Sequence, residues 1–256
     1  MRRLLLLAVG LSALSGCATL TVNKAQTSAV KRAAIIGYGG QLQLEDPNQK
    51  KGIAATVGAI KDANDMFSGK LDTRRREQAK WGYDEVVKRT NASLGWEFVA
   101  PETITQVPLY AQGLNMAGSM WKGGGYQYVD GILPPAHANR MTPSGIQQIA
   151  QALSADALGV FEITYVIGDR GGFAIGGLGS TTVYPQGIVR FTVFNKDGQE
   201  IWRDSRAVGA VAKGALRTTM GADIVENETE VINEATGLAI DALLARYQQY
   251  QEPEKK

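Results

Sequence analysis

An α/β fold, with a mixed and mainly antiparallel sheet packed by helices in a single domain, is what the sequence of 256 residues predicts. Three features point to it. Apolar strand-like runs at 33–37 and 95–101 flank a helical region, two alternating segments meet at a tight turn near 198, and an amphipathic helix closes the chain.

The chain opens with Arg2 and Arg3, an apolar stretch from Leu4 to Leu14, and the small residues Ser15 and Gly16. These are the three regions of a secretory signal, here residues 1–16 with cleavage after Gly16. The apolar part is far shorter than the roughly 18 residues needed to span a bilayer. Cys17, the only cysteine, follows Leu14, Ser15 and Gly16 in a run that resembles the bacterial lipobox. That resemblance implies a thioether-linked diacylglycerol and an N-acyl group on Cys17, and Ala18 after it resembles the signal for export to the outer membrane. Three acyl chains exceed the two signals that stable anchoring takes, at about 0.8 kcal/mol per buried methylene. The expected address is the periplasmic face of the outer membrane.

Loss of Arg2 and Arg3 with the signal leaves 25 basic against 25 acidic residues. A neutral body has neither the basic footprint of nucleic-acid binding nor a polybasic membrane surface. With Cys17 acylated, no thiol remains for a disulfide or a metal.

Residues 17–32 are polar and rich in small side chains after the lipidated cysteine, and read as a tether. Fifteen extended residues reach at most about 50 Å. The folded body is expected over 33–250 and a charged disordered tail over 251–256. "RAAIIGYGG" reads as a buried strand, and two helical stretches follow between Gly52 and Leu94. In the second, Tyr83, Val86, Val87, Thr90 and Leu94 share one face, behind a polar start containing Arg74, Arg75 and Arg76. "GWEFVAP" reads as a strand stopped by Pro101, which makes a crossover unit. Residues 102–141 are broken by prolines and by glycines 123–125, with a short strand near "YQYVDGILPP".

Thr142 followed by Pro143 is a good helix start, and Ile146, Ile149, Ala150 and Leu153 repeat at helical spacing. "ADALGVFEITYVIGD" reads as a strand with Phe161, Ile163, Tyr165 and Ile167 on one side. Residues 168–182, with many glycines, read as a flexible hairpin connection. Their context is strand to strand, which does not suit a phosphate cradle. Phe173, Ile175 and Leu178 lend that loop a second reading, as a partner-docking or membrane-dipping site.

Segments 187–194 and 199–208 form a hairpin about Asp197 and Gly198, with Val189, Phe191 and Val193 as its apolar face. Asp223 and Glu226 resemble a capping box, opening a helix striped by Ile232, Ala235, Ala239 and Leu243.

Several of these phrases resemble a group of bacterial envelope proteins. Ala155, Asp156 and Ala157 match the line that starts the group's central strand. Gly198 to Trp202 approximates its hairpin ending, with one extra residue before the tryptophan. The group includes the N-terminal domain of TolB, the curli secretion lipoprotein CsgG, and the LpoB-type activators of penicillin-binding proteins. The likeness spans about residues 142–248, with a weaker echo at Ala33 to Gly37, and it is a signature of fold.

No catalytic set stands out. His137, the only histidine, reads as an exposed loop residue without an orienting acid or a nucleophile, and one histidine with no free cysteine is a poor start for zinc. Glu162, Arg190 and Arg203 read as cross-strand charge pairs, Trp202 as a packed hairpin anchor, and Arg74 to Arg76 as a solvated helix end. The expected function is that of a non-catalytic envelope adaptor or assembly factor that binds a protein partner, with no cofactor beyond its covalent lipid and no metal. Two other readings stay open: a subunit of an oligomeric secretion channel resembling CsgG, and a glycan hydrolase working through two carboxylates.

Overall fold

The computed structural model describes residues 19–45, 70–117, 126–175, 178–219 and 228–251. Among them one sheet is built from β1 (Leu20–Val22), β2 (Arg32–Glu45), β3 (Glu97–Phe98), β4 (Tyr126–Tyr128), β5 (Ala157–Ile175), β6 (Leu178–Asn195), β7 (Glu200–Val211) and β8 (Leu216–Thr219). It is packed by α1 (Lys24–Ala29), α2 (Lys70–Leu94), α3 (Pro101–Ile104), α4 (Pro108–Ala117), α5 (Pro135–Ala138), α6 (Pro143–Leu153) and α7 (Glu228–Gln251). The strand order is β1-β7-β6-β5-β2-β3, with β4 on β2 and β8 on β6. β2 runs parallel to β3 and β5, and the other pairs are antiparallel. The α/β class with a mixed, mainly antiparallel sheet is the one the sequence predicts.

Parallel strands covered on both faces read as unbroken apolar runs. β2 does so: Ala33, Ala34, Ile35 and Ile36 are all buried. β6 alternates instead, with Val189, Phe191 and Val193 inside and Arg190 exposed. A column of aromatic rings crosses the sheet on the inner side. Tyr38 stacks on Phe161 at 5.5 Å, Phe161 meets Phe191 at 5.9 Å, and Phe191 meets Trp202 edge-on at 4.9 Å. Trp202 also touches Trp96 and Tyr247, so it is the packed hairpin anchor expected of it.

Over this column lie α2 and α7. The α7 stripe Ile232, Ala235, Ala239 and Leu243 is buried, as are Tyr83, Val86 and Thr90 of α2. Arg89 joins the two helices through Glu85, Asp241 and the Gly237 carbonyl. The close fit of α7 to the sheet rests on two glycines. A Cβ on Gly209 would lie 2.6 Å from the Ala239 nitrogen, and one on Gly187 would lie 2.7 Å from the Ala235 carbonyl oxygen. Backbone atoms cannot swing aside, so Gly209→Ala must lift the helix. A cost of about 1–3 kcal/mol is expected, read as a lower urea midpoint.

The Thr142 cap forms as expected, its Oγ1 accepting from the Gly145 amide at 3.2 Å. The turn at 195–199 is held by Asn195 Oδ1, which accepts from the Asp197 and Gln199 amides, with Gly198 at φ 77°. Three expectations change. The tether over 17–32 is not a tether from Thr19 onward, because β1 and α1 occupy it. The strand at "GWEFVAP" shrinks to β3, since Pro101 starts α3 instead of merely ending a strand. The unreadable region 102–141 holds α3, α4, β4 and α5, too short for a visible period. The proposed capping box at Asp223, the helical stretch before residue 70, and the tail after residue 251 lie outside the described residues.

Candidate functional site

Gly16 and Cys17 also lie outside the described residues, which begin two positions later at Thr19. What the structure shows is how firmly the next residues are held. Leu20, Thr21 and Val22 pair with Asp204, Arg203 and Trp202, and Leu20 and Val22 pack against the core. Thr19 donates its amide to Ser205 Oγ at 2.9 Å, and its carbonyl accepts from the Ser205 amide at 3.1 Å. Asn23 donates to the Ile201 carbonyl at 2.7 Å, and its side chain caps α1 by accepting from Gln26.

The C-terminal helix closes over this segment. Tyr247 donates its hydroxyl to Thr27 Oγ1 at 3.0 Å, both residues being buried. Lys24 donates to the Gln251 carbonyl at 3.3 Å and sits over the Tyr250 ring. The missed signal was the alternation Leu20-Thr21-Val22 followed by an Asn cap, a pattern too short to stand out against polar surroundings.

The second predicted element changes more. The supposed glycine-rich loop at 168–182 is strand almost throughout: β5 and β6 pair from Ala157↔Asn195 to Ile175↔Leu178, with an irregularity between Ile167 and Asp169. Glycine lowers strand propensity in isolation, but long-range pairing supplies what propensity withholds. Phe173 lies opposite Ser180, and Ile175 opposite Leu178, so the three apolar residues fall at the far end of a long hairpin. Among the described residues β2 follows β5 as far as Val166 and β7 follows β6 as far as Gln186, while β8 covers Ser180 to Val183.

The charged candidates have structural partners. Glu162 accepts from Arg190 across the β5–β6 ladder at 3.4 Å, as expected. Arg203 pairs instead with Glu200, on its own strand. Arg76 is exposed, as expected, and from there faces Asp130 at 3.7 Å and the Tyr128 ring; the side chains of Arg74 and Arg75 lie outside the described residues. His137 is half-buried within α5, not exposed in a loop. No group of three or more His, Cys, Asp or Glu side chains suited to a metal occurs among the described residues. Nor is any described helix long and apolar enough to cross a membrane.

Asp156, from the family-like line, has a visible task. Its Oδ2 accepts from the Lys31 and Arg32 amides, each at 3.0 Å, stapling the start of β2 to the start of β5. The Arg32 bond, with that of Lys31, holds its carboxyl below the usual range against some opposing desolvation. A depressed folded pKa gives stability that is full above the unfolded value of about 3.9 and is lost as pH falls through the folded value. Asp156→Ala is therefore expected to cost about 1–2 kcal/mol at neutral pH. The gap in melting temperature from the parent should narrow steadily below about pH 4.

No family model matches the chain, and no curated protein matches it. Among solved structures it is similar to lipoprotein GNA1162 from Neisseria meningitidis, at 10% identity and TM-score 0.26, over 86% of this chain and 99% of that one. It is also similar to the hypothetical protein CT253 from Chlamydia trachomatis, at 10% identity and TM-score 0.28, over 87% of this chain and 95% of that one. At these values neither likeness assigns a function.

Proposed function

We propose that the chain is a lipoprotein of the bacterial outer membrane, held on the periplasmic face through acylated Cys17, and that it acts as a non-catalytic adaptor or assembly factor for an envelope protein. The observation that carries this reading is the clamp on residues 19–27. A segment that starts two residues after the lipobox-like cysteine is built into the sheet, which suits a body worn close to its membrane. The partner surface is the outer side of β6 and β7, where Arg190, Arg203, Arg206 and Val208 are exposed while their neighbours Trp202, Asp204 and Ala207 are buried.

A photo-crosslinker at Val208 in intact envelopes tests it. A discrete adduct with an envelope protein, absent when the crosslinker sits at Ser144, is the expected result. Turnover of a cell-wall glycan by the purified protein would contradict the non-catalytic role.

The channel reading has one observation in its favour. Past the β2 pairing, residues 167–175 and 178–186 continue as paired strands of a length that suits the roughly 9–11 residues of a barrel strand. Mass measurement in detergent separates the two: rings support the channel, monomers the adaptor.

A further inference from the structure

The outer side of β6 and β7 carries an irregularity at its centre. Between the pairs Phe191↔Asp204 and Val189↔Ala207, β7 has one residue more than β6, so Ser205 and Arg206 together stand opposite Arg190. This is a β-bulge, a device that re-aims a side chain. Asp204 and Ala207 on either side of it are buried, while Ser205 is half-buried and Arg206 exposed. Both bulge residues therefore face away from the core, as Arg190 does. The bulge is fixed from two directions. The Asp204 carboxylate, fully buried and paired with Arg246, accepts from the Arg206 amide at 3.0 Å, and Thr19 donates its amide to Ser205 Oγ at 2.9 Å.

The bulge sets Arg206 across from Arg190, and Arg203, opposite Thr192, is exposed on the same side. Side chains directly opposed across strands have Cβ atoms about 4.5–5.5 Å apart and diagonal ones about 7–8 Å, and like charges so placed repel. Stability of the fold does not call for three guanidinium groups here. Glu162 reaches Arg190 at 3.4 Å and Glu200 reaches Arg203, but both arginine side chains are more than half exposed, and such pairs contribute little. Among the described residues the Arg206 guanidinium has no carboxylate partner. A carboxylate arriving from outside thus meets surplus positive charge and breaks only weak pairs. Along the strands the face repeats at every second residue, about 6.7 Å. Ile188 and Val208 form an apolar row, Arg190 and Arg206 the next, and Thr192 and Arg203 the third. Alternate side chains of an extended peptide have the same spacing, whereas the headgroups of a fluid bilayer keep no fixed order. We infer that the partner protein presents an extended acidic segment to this face. In it an apolar residue, seated on Ile188 and Val208, is followed at two-residue intervals by two carboxylates that meet Arg190, Arg206 and Arg203. The inference rests on the reading of this face as the partner surface and names the chemistry of what binds there.

The test uses the full-length protein in intact envelopes, with the photo-crosslinker at Val208 and the arginines either unchanged or altered by Arg206→Glu, by Arg203→Glu as a second reversal, or by Arg206→Lys. These side chains are exposed, so each variant should melt close to the parent, which thermal unfolding checks. The expected result is an adduct whose crosslinked partner peptide contains two Asp or Glu residues two positions apart. Its yield should fall about tenfold or more in either reversal and stay within about twofold in Arg206→Lys. An adduct undiminished in either reversal, or a partner peptide without that acidic pair, overturns the inference and leaves the partner surface standing. A phospholipid adduct in place of a protein one assigns the face to the bilayer and overturns it as well. Absence of any adduct with the arginines unchanged removes the partner surface itself, and the inference falls with it.

Discussion

Trp202→Ala is expected to lower the stability of the fold by about 3–5 kcal/mol, seen as a large drop in the urea midpoint. The indole is wholly buried, and it is where the hairpin, the first crossover and the C-terminal helix meet, through Phe191, Trp96 and Tyr247. Removing it leaves a cavity that three separate elements line, none free to collapse into it. The indole nitrogen finds no hydrogen-bond partner among the described residues. Trp202→Phe therefore sheds an unsatisfied donor along with some packing, and its cost should be markedly smaller than that of Trp202→Ala. Equal losses from the two substitutions would show that the ring column is not what holds these elements together.

The second large effect concerns Arg246 and Asp204. The Asp204 side chain is fully buried on β7, and it accepts from Arg246 Nε at 2.7 Å and from the Arg206 amide at 3.0 Å. Arg246→Ala leaves a buried carboxylate with one backbone donor, and breaking such a pair costs about 3–5 kcal/mol. Asp204→Asn keeps an acceptor for the amide and leaves the positive partner, whose side chain is one-third exposed, to find water. Its cost should be the smaller of the two, about 1–3 kcal/mol. The order of the two variants in thermal unfolding is the check, and a reversed order would contradict the assignment of the burial to Asp204.

The parts of this fold that were legible in the sequence are those whose stability is written in side-chain period. Val189, Phe191 and Val193, and the α7 stripe, face the core because burial of those side chains is what forms the elements. The family-like Asp156 was visible as a motif, but its task, holding the Lys31 and Arg32 amides, is a contact between distant strands that no local pattern states.

Other parts form for reasons that period does not record. β1 exists because Ser205 and Asp204 offer an edge to a short polar segment, and α1 because Tyr247 reaches Thr27 from the far end of the chain. The glycine-rich stretch is strand because Asp169 to Ile175 pair residue by residue with Tyr184 to Leu178 across the hairpin. In region 102–141, short helices are placed by Tyr110, whose hydroxyl donates to the Ile36 carbonyl and accepts from the Leu133 amide. One buried phenol replaces the long apolar stripe that would have been readable. Cys17 was singled out in the sequence and lies outside the described residues, whereas the clamp on residues 19–27 joins segments far apart in the chain and has no local pattern.

In the proposed arrangement a lipid on Cys17 holds this body directly at a bilayer. Mass spectrometry of the N-terminal peptide from protein extracted out of bacterial membranes tests it most directly. The expected result is a chain that begins at Cys17 and carries diacylglycerol and an amide-linked acyl group. A peptide still joined to Gly16, or a Cys17 with its thiol free, would contradict it.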